Sequence, residues 1–210
     1  NGVVYIYSGD IYKTSYDELT LGRVEFVLKS GRALIYPVYK GTYDRNSGLK
    51  TYVPDTSNQY RDFMIAQSKD LGRAIDYVES RSDLDANRLA YIGFSWGSKL
   101  GPIMVAMEKR LKTAIFFVGG LSLEKAPPMA DPFNFLPRVT IPTFMFNGRY
   151  DSFSQYFDAL SGHVRVFLKC YGGVQRCPKR FQTFSDIFVL KRIPIGFVLT
   201  IKHRICSSNY

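Results

Sequence analysis

The chemical pattern that stands out in the sequence is Gly-x-Ser-x-Gly at residues 93–97, with Ser95 at its centre. An apolar run at residues 89–93 precedes it, and a segment of helical character at residues 96–110 follows. Between a strand and a helix, this pattern is typical of a tight, strained turn that exposes the serine hydroxyl as a nucleophile. The alternative is a glycine-bounded turn in which the serine is incidental.

A serine hydroxyl is a weak nucleophile until a general base accepts its proton, and the usual base is a histidine oriented by a carboxylate. Asp151 follows the apolar run at residues 143–146 and lies downstream of Ser95. The chain order serine, aspartate, histidine is one of the known orders of such a triad. We predict that Asp151 orients the histidine; the alternative is a loop aspartate that caps a helix.

Two histidines are candidates for the base, His163 and His203. His203 lies 52 residues after Asp151 and follows an apolar run at residues 195–201 that could be a final strand. His163 lies only 12 residues after Asp151, which leaves no room for a helix and a strand to return the chain to the site. His203 is therefore the better candidate, and the alternative is a surface histidine in a basic C-terminal segment.

The negative charge that develops in acyl transfer requires hydrogen-bond donors. Trp96 begins the helix after Ser95, so its backbone N–H and the positive end of the helix dipole lie at the site. We expect the second donor from the turn after the first strand, near Tyr7 or Ser8. Trp96 and Tyr7 are thus the predicted oxyanion hole.

Strands and helices that alternate along the chain must position these residues. Apolar runs predict strands, and helical periodicity predicts helices, in the order strand 3–7, strand 33–39, helix 60–80, strand 89–93, helix 96–110, strand 114–118 and strand 143–146. Strands that are apolar on both faces and alternate with helices indicate an α/β fold with a mostly parallel sheet covered by helices on both faces. Ligands bind such sheets at the carboxyl ends of the strands.

Two connections are expected near that edge. The polar, tyrosine-rich segment 40–60 follows a strand and is predicted either to contact substrate or to be a solvated loop. The proline-rich segment 121–137 is predicted to form a wall or a partial lid.

Residues 23–151 resemble the α/β-hydrolases grouped around dienelactone hydrolase and prolyl oligopeptidase, and bacterial esterase-like domains most of all. The resemblance rests on four stretches: GRALIYPVYKGTYDR, SKDLGRAIDYVESRSDLDANRLAYIGFSWGSKLGPI, DPFNFLPRVTIP and FNGRYD. It implies a serine hydrolase, a carboxylesterase or a peptidase, that cleaves an ester or amide bond through an acyl-enzyme. In that enzyme Ser95 is the nucleophile and Asp151 the triad acid.

The resemblance fails where the family has its base. The family's histidine lies in a Gly-His pair after the last strand, which residues 179–184 resemble, but residues 185–188 are Ser-Asp-Ile-Phe. This departure keeps a second function open, a catalytically inactive hydrolase fold that serves as a binding or interaction module.

Charge divides the chain into two parts. Of the formal net charge of +10, seven units belong to the last 59 residues, which also contain both histidines and all three cysteines. We interpret residues 1–151 as the hydrolase core and residues 152–210 as a divergent basic segment that completes, or fails to complete, the same domain. An out-of-frame reading of the gene after residue 151 would also produce such a segment.

The resemblance implies a small-molecule ester or peptide substrate as the partner. The basic charges are scattered and no nucleic-acid-reading motif is present, so nucleic-acid binding is the weakest of three hypotheses. Apolar runs are shorter than the roughly 20 residues of a membrane helix, and no Cys-x-x-Cys occurs, so we expect no membrane, metal or cofactor.

The start of the chain carries two further expectations. No signal peptide is visible, which assigns the protein to the cytoplasm by default. A start at Asn1 rather than methionine, without the family's earlier antiparallel strands, predicts a piece of a larger multidomain protein.

Overall fold

The fold is built around one sheet. The computed structural model describes residues 4–8, 24–45, 53–119, 124–147, 165–170 and 173–176. Its strands are β1 (Val4–Ser8), β2 (Ala33–Ile35), β3 (Leu89–Phe94), β4 (Leu111–Phe117), β5 (Thr143–Asn147), β6 (Arg165–Cys170) and β7 (Gly173–Arg176). Its helices are α1 (Glu25–Lys29), α2 (Asn58–Glu79) and α3 (Trp96–Met107), with short 3-10 segments at Tyr43–Arg45 and Pro132–Arg138.

The sheet is mostly parallel, as predicted. Its strand order is β2-β1-β3-β4-β5-β6-β7, and every pairing from β2 through β5 is parallel. The β5–β6 and β6–β7 pairings are antiparallel. Because β1 to β5 run in one direction, their carboxyl ends meet at a single edge of the sheet, with the end of β3 in the middle.

Helices cover both faces of the sheet, which confirms the predicted α/β architecture. Successive residues of a strand point to opposite faces. In β3, Leu89 and Tyr91 pack in the core formed with α2 and α3, whereas Ile92 and Phe94 pack with Val27 of α1. All six residues of β3 are buried, so the central strand is apolar on both faces.

Three predicted boundaries were wrong by three or four residues, each for a local reason, and the other boundaries agree to within two residues. β2 ends at Ile35 instead of residue 39, since Pro37 has no N–H to donate to a neighbouring strand. α3 ends at Met107, because Glu108 is extended and its carboxylate instead accepts hydrogen bonds from the backbone and guanidinium of Arg110. β4 begins at Leu111, three residues early, since its first residues alternate with polar ones and do not form an apolar run.

Within the segment at residues 40–60, the described residues 40–45 and 53–60 are not simply a solvated loop. Tyr43 and Tyr60 are both buried, and Ser57 caps α2 by accepting a hydrogen bond from the Tyr60 N–H at 3.0 Å. Tyr52, the third tyrosine of this segment, lies outside the described residues. α1, with only five residues, was not predicted.

Two helical glycines provide a test of this packing. A Cβ at Gly101 of α3 would lie 2.3 Å from the Phe116 ring, whereas a Cβ at Gly72 of α2 would meet nothing closer than 3.8 Å. Gly101→Ala is therefore expected to lower the free energy of unfolding by about 1–3 kcal/mol. Gly72→Ala is expected to raise it by about 0.5–1 kcal/mol, because alanine favours the helix. Urea unfolding measures both, and changes of the same sign would contradict the packing of α3 on β4.

Candidate active site

Ser95 occupies a strained turn between β3 and α3. Its backbone has φ 46° and ψ −103°, outside the regions that L-residues ordinarily adopt, and the residue is exposed. It is the N-cap residue of α3, yet its hydroxyl makes no capping hydrogen bond to that helix. The predicted strand–turn–helix is thus present, and it presents the Ser95 hydroxyl at the carboxyl edge of the sheet.

Backbone groups of two strands hold this turn in place. The Ser95 N–H donates to the carbonyl oxygen of Phe117, the last residue of β4, at 2.9 Å. The buried Ser98 hydroxyl lies 2.7 Å from the same oxygen and 2.7 Å from the carbonyl oxygen of Gly93. Lys99 N–H donates to the Ser95 carbonyl oxygen at 2.9 Å and begins the hydrogen bonding of α3. The end of β4, the end of β3 and the first turn of α3 are therefore joined at Ser98.

Gly93, two residues before Ser95, allows strand and helix to approach. A Cβ at Gly93 would lie 2.7 Å from both the carbonyl carbon and the oxygen of Gly97. The buried Tyr91 hydroxyl donates to that Gly97 oxygen at 2.6 Å. A side chain at position 93 would push α3 away from β3, and with it the first turn of the helix.

Three phenylalanines form a stacked row under the carboxyl edge. Phe94, Phe117 and Phe146 are the register partners of β3, β4 and β5. The ring centroids of Phe94 and Phe117 are 4.5 Å apart, and those of Phe117 and Phe146 are 5.1 Å apart, with nearly parallel rings in both pairs. Since Ser95 directly follows Phe94, this row fixes the position at which the serine leaves the sheet.

Trp96, the predicted oxyanion donor, is anchored by a polar network that runs from buried Gln67 to the surface. It is the first residue of α3, and its indole Nε1 donates to the side-chain oxygen of buried Gln67 at 3.2 Å. The Gln67 amide in turn donates to the Lys40 carbonyl oxygen at 2.8 Å, and the Lys40 N–H donates to Asp70 at 2.7 Å. Arg45 forms an ion pair with the other oxygen of Asp70 at 2.9 Å. The segment after β2 is thereby connected to the residue next to Ser95.

Gln67 is a residue that sequence reasoning missed. It lies on the apolar stripe of α2, three residues after Met64 and four before Leu71. A polar residue at a position that helical spacing assigns to the core is a recognisable signal, because buried amides require partners.

Near Tyr7, the structure describes the strand but not that side chain. Tyr7 pairs with Ile92, and Ser8 at the end of β1 pairs with Gly93. The buried Ser8 therefore ends its strand beside the turn that contains Ser95, which is where the second oxyanion donor is predicted.

Two ionisable groups close to this edge have shifted pKa values. Burial raises the pKa of the Tyr39 hydroxyl well above its ordinary value, the nearby Tyr91 adds to the rise, and the Ser8 hydroxyl opposes it. Tyr39 is therefore a neutral phenol at physiological pH. Burial lowers the pKa of Lys99, one turn after Ser95 in α3, and Glu124 opposes this shift.

The predicted partners of Ser95 lie beyond the described part of the chain. β5 ends at Asn147, four residues before Asp151, and Asp151, His163 and His203 are all outside the described residues. Their roles stay predictions.

The described part of the proline-rich connection packs against α3, the helix that follows Ser95. From residue 124 onward it is described, and its 3-10 segment Pro132–Arg138 lies on α3 with Phe135 buried and Phe133 exposed. Its contact with a substrate stays a prediction.

Within the described ranges, no helix is both long and apolar enough to cross a bilayer. Over the same residues, no group of three or more His, Cys, Asp or Glu side chains is arranged to hold a metal ion.

No protein-family model and no curated protein sequence matches the chain, but solved structures do. A dienelactone hydrolase-like promiscuous phosphotriesterase from metagenomic libraries superposes with a TM-score of 0.54 at 17% identity, over 75% of this chain and 61% of that protein. The chain has the α/β-hydrolase fold. A cold-adapted esterase from an Arctic intertidal metagenomic library has a TM-score of 0.51 at 16% identity, over 69% of this chain and 59% of the esterase.

A third protein with this α/β-hydrolase fold is the acylaminoacyl peptidase of Pyrococcus horikoshii, with a TM-score of 0.51 at 13% identity. The match covers 69% of this chain but only 27% of the peptidase. The chain thus spans less than two thirds of the length of each of these three proteins.

Removing the Ser98 hydroxyl tests how the turn is held. Ser98→Ala takes the hydroxyl from the two carbonyl oxygens that it joins, and a buried hydrogen bond of this kind contributes about 1–2 kcal/mol to the free energy of unfolding. Ser80→Ala is the matched control, since the exposed Ser80 hydroxyl donates to the Tyr77 carbonyl at 2.7 Å and should change stability by less than about 0.5 kcal/mol. Equal losses in chemical denaturation would contradict a special role for Ser98.

Proposed function

We propose that the chain is a serine hydrolase that cleaves an ester or amide bond through an acyl-enzyme on Ser95. The observation that carries this proposal is the conformation of Ser95, which is exposed and strained at the carboxyl edge of a parallel sheet. A serine at a helix N-cap ordinarily accepts a hydrogen bond from the helix, as Ser57 does for α2. Ser95 forgoes that bond, which leaves its hydroxyl available to a substrate.

In the proposed reaction the Ser95 hydroxyl oxygen attacks the carbonyl carbon of the substrate while the base accepts the hydroxyl proton. Trp96 N–H and a donor near Tyr7 stabilise the oxyanion of the tetrahedral intermediate. Collapse of that intermediate breaks the bond to the leaving alcohol or amine, which takes the proton from the base. Water then attacks the acyl-enzyme by the same steps and releases the acid. His203 is the proposed base, and Asp151 orients it.

An ester is the better first substrate. The three similar proteins are named as a phosphotriesterase, an esterase and a peptidase, so the shared fold accommodates several kinds of bond. The peptidase is also the protein of which this chain covers the smallest share, 27%, against 59% for the esterase. An ester with a good leaving group also requires less acid catalysis than an amide. Weak activity is therefore easier to detect with an ester substrate.

Labelling by a fluorophosphonate probe tests the nucleophile, because such probes react far faster with an activated serine than with other side chains. Ser95→Ala in the full chain is expected to abolish labelling and to lower kcat/KM for p-nitrophenyl acetate by about 10⁴-fold or more, with no loss of stability. Ser57→Ala is the matched control, because it also removes the hydroxyl of an N-cap serine, and it should affect stability and not labelling. It should keep full labelling but lower the free energy of unfolding by about 1 kcal/mol, because it removes the cap of α2.

His203→Ala then tests the base. Loss of labelling in this variant supports the proposed triad, whereas retained labelling that still depends on Ser95 would assign the base to another group. A wild-type protein that is folded by circular dichroism but is neither labelled nor active would overturn the hydrolase proposal. That outcome would favour the inactive binding module, to which the missing Gly-His after residue 184 points.

A further inference from the structure

Two neighbouring strands end in residues with left-handed backbone. Ser95 follows β3 with φ 46°, and Val118 follows β4 with φ 52°. The last register pair of these strands is Phe94 with Phe117, so Ser95 and Val118 leave the sheet side by side. For a β-branched residue a positive φ is a genuine outlier, because Cβ and its branches crowd the adjacent carbonyl. Strain of this kind persists only where the surroundings impose it.

The contacts on either side of Val118 impose this conformation. The Val118 N–H donates to the Phe146 carbonyl oxygen at 2.7 Å. The carbonyl before it, that of Phe117, accepts from the Ser95 N–H and lies 2.7 Å from the Ser98 hydroxyl. After it comes Gly119, where a Cβ would lie 2.3 Å from Cβ of Ser98. The backbone through Val118 is thus fitted to the turn that carries Ser95.

The valine side chain itself is not needed for that fit. Glycine adopts a positive φ without steric cost, so it would suit the backbone better. Val118 is also 38% exposed, which limits what the residue contributes to the core. Val118 thus combines an apolar side chain, a strained backbone and partial exposure next to the nucleophile. This combination suggests that its side chain contacts the substrate.

We propose that Val118 is a specificity-determining residue whose isopropyl group packs against an apolar acyl group bonded to Ser95. This inference rests on the proposed function, since it assigns the acyl side of that same site. The acyl group is the part of the substrate that stays on Ser95 through both halves of the reaction. Val118 therefore selects esters whose acyl chain extends beyond acetyl.

Two substitutions at Val118 separate specificity from structure. Val118→Gly removes the side chain and the strain, whereas Val118→Thr keeps the shape and the strain but replaces a methyl group by a hydroxyl. Both are expected to lower the ratio of kcat/KM for p-nitrophenyl butyrate to that for p-nitrophenyl acetate by about 10-fold, the order of effect of a small apolar group in a binding pocket. The thermal midpoint should not fall in either variant. Met107→Ala, which truncates an exposed apolar residue at the far end of α3, should leave the ratio unchanged.

Three other outcomes would overturn the inference about Val118. A lower midpoint with equal losses for the two esters would mean that Val118 is merely structural, and would overturn the inference. An unchanged ratio in variants whose Ser95 is still labelled by a fluorophosphonate would overturn it as well, while the proposed hydrolase function stands. Absence of both labelling and hydrolysis in the folded wild type would overturn the two proposals together.

Discussion

The Phe117 carbonyl oxygen is the point on which the arrangement around Ser95 depends. It accepts the Ser95 N–H at 2.9 Å and lies 2.7 Å from the Ser98 hydroxyl, so one atom of β4 positions both the turn and the first turn of α3. The same relation recurs one strand further, where the Phe146 carbonyl accepts the Val118 N–H at 2.7 Å. Each strand end is therefore placed by its neighbour, and the carboxyl edge is ordered from β5 toward β3.

The contacts that order the carboxyl edge have to offset the backbone strain at Ser95 and Val118. A residue held in a sparsely populated φ/ψ region costs on the order of 1–3 kcal/mol, and the edge contains two, Ser95 and Val118. The hydrogen bonds around the Phe117 and Phe146 carbonyls contribute about 1 kcal/mol each. The two stacked pairs in the row of phenylalanines add about 0.5–1.5 kcal/mol each beyond their buried area. The strain energy and these stabilising contributions are therefore of the same size. Contacts at the carboxyl edge itself are enough to hold Ser95 and Val118 in their strained conformations.

The sequence predicts the parts of this arrangement that depend on local pattern. The Gly-x-Ser-x-Gly turn at residues 93–97 and the buried strand before it are visible because glycine spacing and an apolar run are local signals. β4 was predicted too short, since Leu111 is separated from the apolar run by polar residues. Gln67 was missed because its role depends on a contact with Trp96, 29 residues away. Val118 was missed because its position beside Ser95 depends on the register of β3 and β4. Helical spacing marks Gln67 as a buried polar residue, but its partner Trp96 and the strain at Val118 are not encoded by neighbouring residues.

The strain at Ser95 also bears on the choice between an enzyme and an inactive binding module. The hydrogen bonds that hold the turn join groups within residues 91–117, so none of them depends on a base supplied by the rest of the chain. A module that only binds would gain stability from glycine at position 95, or from a serine that caps α3, because either change relieves a cost. The chain instead has a serine that does neither. An uncapped hydroxyl on a strained backbone at the end of the central strand is accounted for by the proposed acyl-enzyme chemistry.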